Sequence, residues 1–95
     1  MSVFVIISQQ SPHPSLQTII KEKYPNDHYE LSLNQWLVSA KTTARGLSVE
    51  LGITHKEDDK TTTGAAIVLS VSSYWGRANP NVWEWLKVNW GSVLL

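Results

Sequence analysis

The chain contains no cysteine, which excludes a disulfide framework, thiolate catalysis and a thiolate zinc site. It has no excess of charge of either sign, because eight basic residues balance eight acidic ones. A basic excess is typical of nucleic-acid binding, so a nucleic-acid partner is not expected. No segment approaches the ~18–20 apolar residues of a transmembrane helix, and the N-terminal residues favour a strand over a signal peptide. We therefore expect a cytoplasmic protein without a membrane partner.

The chain also lacks the usual motifs of catalysis and cofactor binding. It has only five glycines, and none of them forms a phosphate-binding loop or a dinucleotide fingerprint. The three histidines lack the spacing of metal ligands, and no histidine–carboxylate pair is identifiable beside the serines near residue 8. The sequence therefore predicts no catalytic residues, no metal and no cofactor, and it favours a non-enzymatic protein without excluding an enzyme.

The length of 95 residues predicts one domain over residues 1–95, and hydrophobic patterning divides it into seven elements. Strands are predicted at residues 3–7, 28–33, 36–40 and 66–71, and helices at about 14–24, 43–51 and 80–90. Residues 54–63 contain no apolar side chain and are predicted to form a mobile polar loop. The order β-α-β-β-α-β is that of an α+β ferredoxin-like plait, a four-stranded antiparallel sheet with two helices on one face, here with an added C-terminal helix rich in tryptophan.

Local signals make three further predictions about these elements. Thr42 or Thr43 begins the second helix and Gly52 ends it in a left-handed conformation, while Asn79-Pro80 begins the third helix. A tight turn is expected at Asn34-Gln35. Alternation in the second strand predicts that three side chains point inward: Tyr29, Leu31 and Leu33.

The first strand is apolar on both of its faces. Val3, Val5 and Ile7 lie on one face, and Phe4 and Ile6 lie on the other. Two helices on one side of the sheet leave the second face without cover. We therefore expect the tryptophan-rich helix, a second subunit or both to cover it.

Tryptophan is concentrated in the last third of the chain, where Trp75, Trp83, Trp85 and Trp90 are four of the five present. Large aromatic side chains are enriched at protein interfaces. The pattern predicts a contact surface that includes Trp83, Trp85 and Trp90. The alternative is that all the tryptophans belong to an ordinary core.

In the predicted topology, the start of the second helix and the end of the fourth strand lie at the same end of the sheet. A helix start, hydroxyl groups and cations together can bind an anion. The candidate residues for such an anion or ligand site are Lys41, Thr42, Thr43, Arg45, Tyr74, Trp75 and Arg77. The alternative is that the threonines only cap the helix, the cations are solvated, and residues 74–77 form a packed turn with a positive φ at Gly76.

The element order and length resemble those of the small ferredoxin-like nucleases of CRISPR adaptation and related toxin–antitoxin components. The resemblance implies a dimer, and active members carry a metal-binding aspartate at the end of the first strand. This chain has Ser8-Gln9-Gln10 at that place. The resemblance therefore extends to topology and implies, at most, a nuclease-like relative without the metal aspartate.

The sequence leaves three hypotheses about function. The first is a non-enzymatic binding or regulatory module that acts through protein–protein association, as a homodimer or as a subunit of an assembly. The second is a protein that binds a phosphate-bearing ligand or nucleic acid through the candidate anion site. The third is a subunit whose apolar tail, Val93-Leu94-Leu95, docks into a partner.

Overall fold

The computed structural model describes residues 2–9, 14–54 and 65–90. Within these residues the chain forms an α+β fold with a four-stranded antiparallel sheet and three helices. The elements are β1 (Ser2–Ser8), α1 (Pro14–Lys23), β2 (His28–Ser32), β3 (Gln35–Ala40), α2 (Ala44–Glu50), β4 (Ala66–Val71) and α3 (Pro80–Asn89).

The strand order in the sheet is β2-β3-β1-β4, and every neighbouring pair is antiparallel. The segment through α1 joins β1 to β2 across the intervening β3, and the segment through α2 joins β3 to β4 across the intervening β1. The two central strands are therefore β1 and β3, and the two edges are β2 and β4. β1 is therefore paired on both edges, a position that suits its continuous run of β-branched and aromatic residues.

One face of the sheet is covered by α1 and α2. Leu16 and Ile20 of α1 lie one turn apart and are fully buried, as are Leu47 of α2 and Leu51 directly after it. They pack against the side chains of β1 and β3 that point to this side. We call this cluster the α1–α2 core, and it comprises Phe4, Ile6, Leu16, Ile20, Trp36, Val38, Ala40, Leu47, Leu51 and Ile53.

The opposite face is covered at one end by α3 of the same chain. Asn79 accepts a hydrogen bond from the Asn81 N–H and caps the helix, and Pro80 occupies its first turn. Val82, Leu86 and Trp90 recur every four residues and form the stripe that contacts the sheet. The buried members of this second cluster, the α3 core, are Val3, Leu37, Leu86 and Trp90.

The local predictions are confirmed at both helix starts and at the glycine after α2. Thr43 is the N-cap of α2, Asn79 is the N-cap of α3, and Gly52 has φ 77°. The prediction for the end of β2 is wrong in part. Leu31 is 37% exposed and Leu33 is 65% exposed, so neither is buried in the core as predicted. The turn lies at Leu33-Asn34 and not at Asn34-Gln35, and β3 begins at Gln35. A register irregularity between Glu30 and Ser32 interrupts the alternation on which that prediction depended.

Two further sequence predictions fall on other parts of the chain. Residues 55–63 of the predicted polar loop and the apolar tail at 93–95 lie outside the described residues. Over the residues that are described, no helix is long and apolar enough to span a membrane.

The C-terminal ends of α1 and α2 are linked by a tyrosine and a glutamate. Tyr24 directly follows α1, and Glu50 is the last residue of α2. Burial raises the pKa of the Tyr24 phenol to about 12, and its hydrogen bond to the Glu50 carboxylate and the charge of that carboxylate add to the increase. The neutral, hydrogen-bonded phenol is therefore the form that the fold stabilises.

The first prediction concerns packing of α3 on its own sheet. Trp90 is 6% exposed and Trp75 is 94% exposed. Trp90→Ala should lower the free energy of unfolding by about 3–5 kcal/mol, whereas Trp75→Ala should change it by less than about 0.5 kcal/mol. Urea unfolding followed by far-UV circular dichroism measures both values. Equal effects of the two substitutions would contradict this account of α3.

The second prediction concerns the pH dependence of stability. The tyrosine pKa is about 10 in the unfolded chain and about 12 in the fold. The stabilisation that Tyr24 provides is therefore complete below pH 10 and is lost as the pH rises from about 10 to about 12. Tyr24→Phe should destabilise the domain by about 1 kcal/mol at neutral pH, and the difference from wild type should shrink above pH 10.

Urea titrations of both proteins across this pH range measure that difference. The other tyrosines are present in both proteins, so their ionisation cancels in the comparison. A difference that stays constant up to pH 12 would contradict the proposed role of the Tyr24 hydroxyl.

Candidate functional site

The tryptophans of the predicted contact surface lie on or directly after α3 and pack against the same chain. Trp90 is buried in the α3 core, and Trp83 and Trp85 are partly buried against it. The Trp85 ring lies 6.4 Å from the ring of Tyr29 on β2, measured between centroids. These indoles therefore hold α3 on the sheet, and only parts of Trp83 and Trp85 remain accessible.

Tyr74 connects the segment after β4 to this cluster. Its ring stacks on Trp83 with centroids 5.7 Å apart and meets Trp90 edge to face at 4.8 Å. Such aromatic pairs add about 0.5–1.5 kcal/mol beyond the burial of their area. Tyr74 is thus a packing residue that fixes the path of the chain from β4 into α3.

The two halves of the predicted anion site do lie at the same end of the sheet. β3 ends at Ala40, which pairs with Ser2, and β4 ends at Val71, which pairs with Val3. Because β1 lies between them, the two strand ends are separated by two strand spacings, about 10 Å. The segments that begin at Lys41 and Ser72 therefore leave the sheet from the same end.

From this end, however, the two segments go to opposite faces. Ala44 at the start of α2 packs against the α1–α2 core, whereas Tyr74 packs against the α3 core. Lys41 and Arg45 are exposed beside α2, and Arg77 is exposed on the path to α3. The sheet thus stands between the groups that the sequence placed in one site.

The threonine hydroxyls at the start of α2 serve the helix itself. Thr43 Oγ1 accepts a hydrogen bond from the Gly46 N–H at 3.0 Å. The hydroxyl of Thr42 lies so close to Gly46 that a Cβ at that position would collide with it. The side chains of both threonines therefore crowd the first turn of this seven-residue helix, which explains why a glycine is accommodated there.

The segment with Trp75, Gly76 and Arg77 is an exposed turn. Gly76 has φ 146°, a backbone conformation that other residues rarely adopt. The Trp75 and Arg77 side chains are exposed, in contrast to the partly buried Tyr74. Of Tyr74, Trp75 and Arg77, only Tyr74 has a packing role. Trp75 is 94% exposed and is the one large aromatic side chain of the described residues that is almost fully accessible.

A shallow concavity of about 550 Å³ lies beside α3. Its lining residues are Tyr74, Pro80, Trp83, Glu84, Lys87 and Val88. The carboxylate of Glu84 and the ammonium of Lys87 are its charged groups, and the rest of its lining is mainly aromatic and aliphatic. This lining can hold an apolar group, and it offers no nucleophile paired with a base.

An apolar patch that the sequence reasoning did not single out lies on the sheet face beside α3. The helix covers the end of this face that carries Val3 and Val71, and it leaves the other end open. We call the apolar surface at this end the open patch. It comprises Ile67 and Leu69 of β4 with their partners on β1, Ile7 and Val5, which are partly buried; Val5 also borders the α3 core. Ile67 and Leu69 are each 48% exposed, and they pair across the ladder with Ile7 and Val5.

The signal for this patch was present in the sequence but was incomplete. Alternation places Ile67 and Leu69 on one side of β4, and it places Ile7 on the second face of β1. Nothing in the sequence specified which end of that face α3 would cover. The open patch therefore became visible only from the position of α3.

Other chemistry is sparse in the described parts of the chain. Over residues 2–9, 14–54 and 65–90, no group of three or more histidine, cysteine, aspartate or glutamate side chains is placed to hold a metal ion. Comparison of the chain with protein-family models, with curated proteins and with solved structures finds no match.

The third prediction tests the structural role of the Thr43 hydroxyl. Thr43→Ala removes the acceptor of the Gly46 N–H and should lower the free energy of unfolding by about 1 kcal/mol. Thr43→Ser keeps the hydroxyl and is the matched control, with an expected change of a few tenths of a kcal/mol. Urea unfolding measures both. If alanine and serine behave alike, the hydroxyl does not cap α2.

Proposed function

We propose that the protein is a small non-enzymatic module that acts through protein–protein association, as a homodimer or as a subunit of an assembly. The observation that carries the proposal is the open patch beside α3. It is a set of adjacent aliphatic side chains on a sheet, not interrupted by charge, in which Ile67 and Leu69 are each 48% exposed and Val5 and Ile7 are partly buried.

The arrangement of these side chains distinguishes the patch from scattered apolar residues on a surface. Ile67 lies opposite Ile7, and Leu69 lies opposite Val5, so the four form two adjacent rows on neighbouring strands. Single exposed apolar residues are common on protein surfaces, whereas contiguous apolar patches are typical of contact sites. A second protein surface would remove the exposed halves of Ile67 and Leu69 from water.

The positions of the candidate anion residues favour association over ligand binding as the function. Thr43 caps α2, and Tyr74 packs between Trp83 and Trp90. Lys41 is exposed on the segment that leads to α2, and Arg77 is exposed on the segment that leads from Tyr74 to α3. The two cations therefore lie toward opposite faces of the sheet. A phosphate-bearing ligand would thus meet separate surface cations, whereas a protein partner would meet a continuous apolar surface.

We further infer that the fold is a ferredoxin-like plait with an added helix. The support is that each helix-containing connection, through α1 and through α2, skips one strand of the antiparallel sheet. Such a plait with two helices has one sheet face without cover. In this chain α3 covers that face at one end, so the part available to a partner is reduced to the open patch.

The fourth prediction tests association through the open patch. In the double variant Ile67→Ser/Leu69→Ser, two half-exposed aliphatic side chains become polar, and association should weaken by at least about tenfold. Val88→Ser, at an apolar residue of α3 that is 75% exposed outside the patch, is the matched control. Sedimentation at micromolar concentration should give a mass above the 10.7 kDa monomer for wild type and control.

Binding of an apolar dye such as ANS to the diluted proteins provides a second readout. A monomer whose dye binding falls in the double variant supports a patch that is available to another protein. A monomer whose dye binding is the same in wild type and double variant would overturn the proposal, since no accessible patch would then exist.

A further inference from the structure

The two edges of the sheet differ in how they are protected from pairing with another chain. The edge strand β2 is five residues long, carries His28 and Glu30, and has a register irregularity. The other edge strand, β4, pairs with β1 in an uninterrupted register from Ala66 to Val71. Residues 61–76, which include β4, contain no charged residue, no histidine and no proline. Charge, proline and irregularity are the usual means of protecting an edge, and β4 has none of them.

The hydrogen bonds at the end of the ladder show which groups of β4 point outward. The Gln9 N–H donates to the Ala65 carbonyl at 3.1 Å, so these two residues form a directly bonded pair. Bonded and non-bonded pairs alternate along an antiparallel ladder. The backbone groups of residues 67, 69 and 71 therefore point to β1, and those of Ala66, Val68 and Ser70 point away from the sheet.

The same alternation is found on the other side of β1. The Ser8 N–H donates to the Asn34 carbonyl at 2.8 Å, so the even-numbered residues of β1 bond toward β3. Its odd-numbered residues bond toward β4, which agrees with the Gln9 bond. The backbone N–H and C=O groups of Ala66, Val68 and Ser70 thus line the outer edge of β4.

We infer that β4 pairs antiparallel with β4 of a second copy of the chain and joins the two sheets into one. This inference rests on the proposed function and names the partner. A two-fold axis at Val68 places Val68 opposite itself and Ala66 opposite Ser70, and these are the residues whose backbone groups point outward. Every outward group then has a partner.

The side chains match in the same register. Ile67 of one copy lies opposite Leu69 of the other in non-bonded pairs, where cross-strand side chains approach most closely. Both residues are on the α3 side of the sheet, and both are 48% exposed in the single chain. On the α1–α2 side, Ala66 faces Ser70 and Val68 faces its own copy. None of the paired residues is charged, so the pairing brings no like charges together. This self-matching is the reason to assign the edge to a second copy.

The antiparallel arrangement also brings cover to the open patch. In each copy, α3 covers the Val71 end of the sheet face and leaves the Ala66 end open. Pairing about Val68 places the covered end of one copy beside the open end of the other. The strand that carries the two most exposed patch residues is thus the strand that forms the contact.

The experiment compares Ser70→Pro with Ser70→Ala. The Ser70 side chain is exposed and its N–H points outward, so proline leaves the ladder to β1 intact and removes an outward donor. Alanine keeps the donor. Because of the symmetry, each substitution acts twice in the dimer. Wild type and Ser70→Ala should sediment at twice 10.7 kDa, and Ser70→Pro should raise the dissociation constant at least about tenfold.

Amide hydrogen exchange followed by NMR gives a second measurement on the wild-type protein, which does not depend on the folding of the proline variant. The amides of Val68 and Ser70 should become protected as the concentration rises, whereas those of Ile67 and Leu69 should be protected throughout. A dimer that persists in Ser70→Pro, together with freely exchanging Val68 and Ser70 amides in the wild-type protein, would overturn pairing of the edge and leave association through the patch intact.

The mass and dye measurements separate the remaining outcomes. A wild-type monomer whose open patch still binds dye would overturn the second copy as partner, while the proposed association with another protein would stand. A wild-type monomer whose dye binding does not depend on Ile67 and Leu69 would overturn both proposals.

Discussion

The central constraint of this structure is that β1 carries apolar side chains on both faces and therefore needs cover on both. Phe4 and Ile6 are buried under α1 and α2, and Val3 is buried under α3. Burial of apolar area is the main favourable contribution to folding, so the two-faced strand requires three layers from a chain of 95 residues. A third helix of ten residues is too short to cover a whole sheet face, and the remainder of that face is the open patch.

The same constraint explains how the tryptophans are used. Trp36 is buried on the α1–α2 side, and Trp90 is buried on the α3 side. Among the described residues, neither indole N–H has a hydrogen-bond partner, at a cost of about 1–3 kcal/mol for each buried donor, which the burial of a large aromatic surface offsets. Tyr74 extends the second cluster toward β4. The aromatic residues of α3 are thus primarily structural, and the open patch beside them is aliphatic.

The unprotected edge and the two most exposed residues of the open patch lie on one strand, β4, and this coincidence connects the two proposals. In β4, alternate side chains face the patch, and alternate backbone groups face outward from the edge. A partner strand that pairs with the edge contacts Ile67 and Leu69 as well. Hydrogen bonds of the backbone and burial of aliphatic side chains would then act together, whereas contact with the face alone would leave the outward backbone groups to water.

The sequence by itself determined the elements and their local chemistry. The caps at Thr43 and Asn79, the left-handed Gly52 and the two-faced β1 all follow from nearest neighbours and periodicity, which act within a few residues. The exposure of Leu33, the separation of Lys41 from Tyr74 by the sheet and the open end beside Ile67 were decided only by the tertiary structure. Each of these depends on contacts between distant segments: the irregular pairing of β2 with β3, and the path of residues 72–79, which sets where α3 lies on the sheet. Periodicity specifies that a face is apolar, but only the packing of another element specifies which part of that face is removed from water.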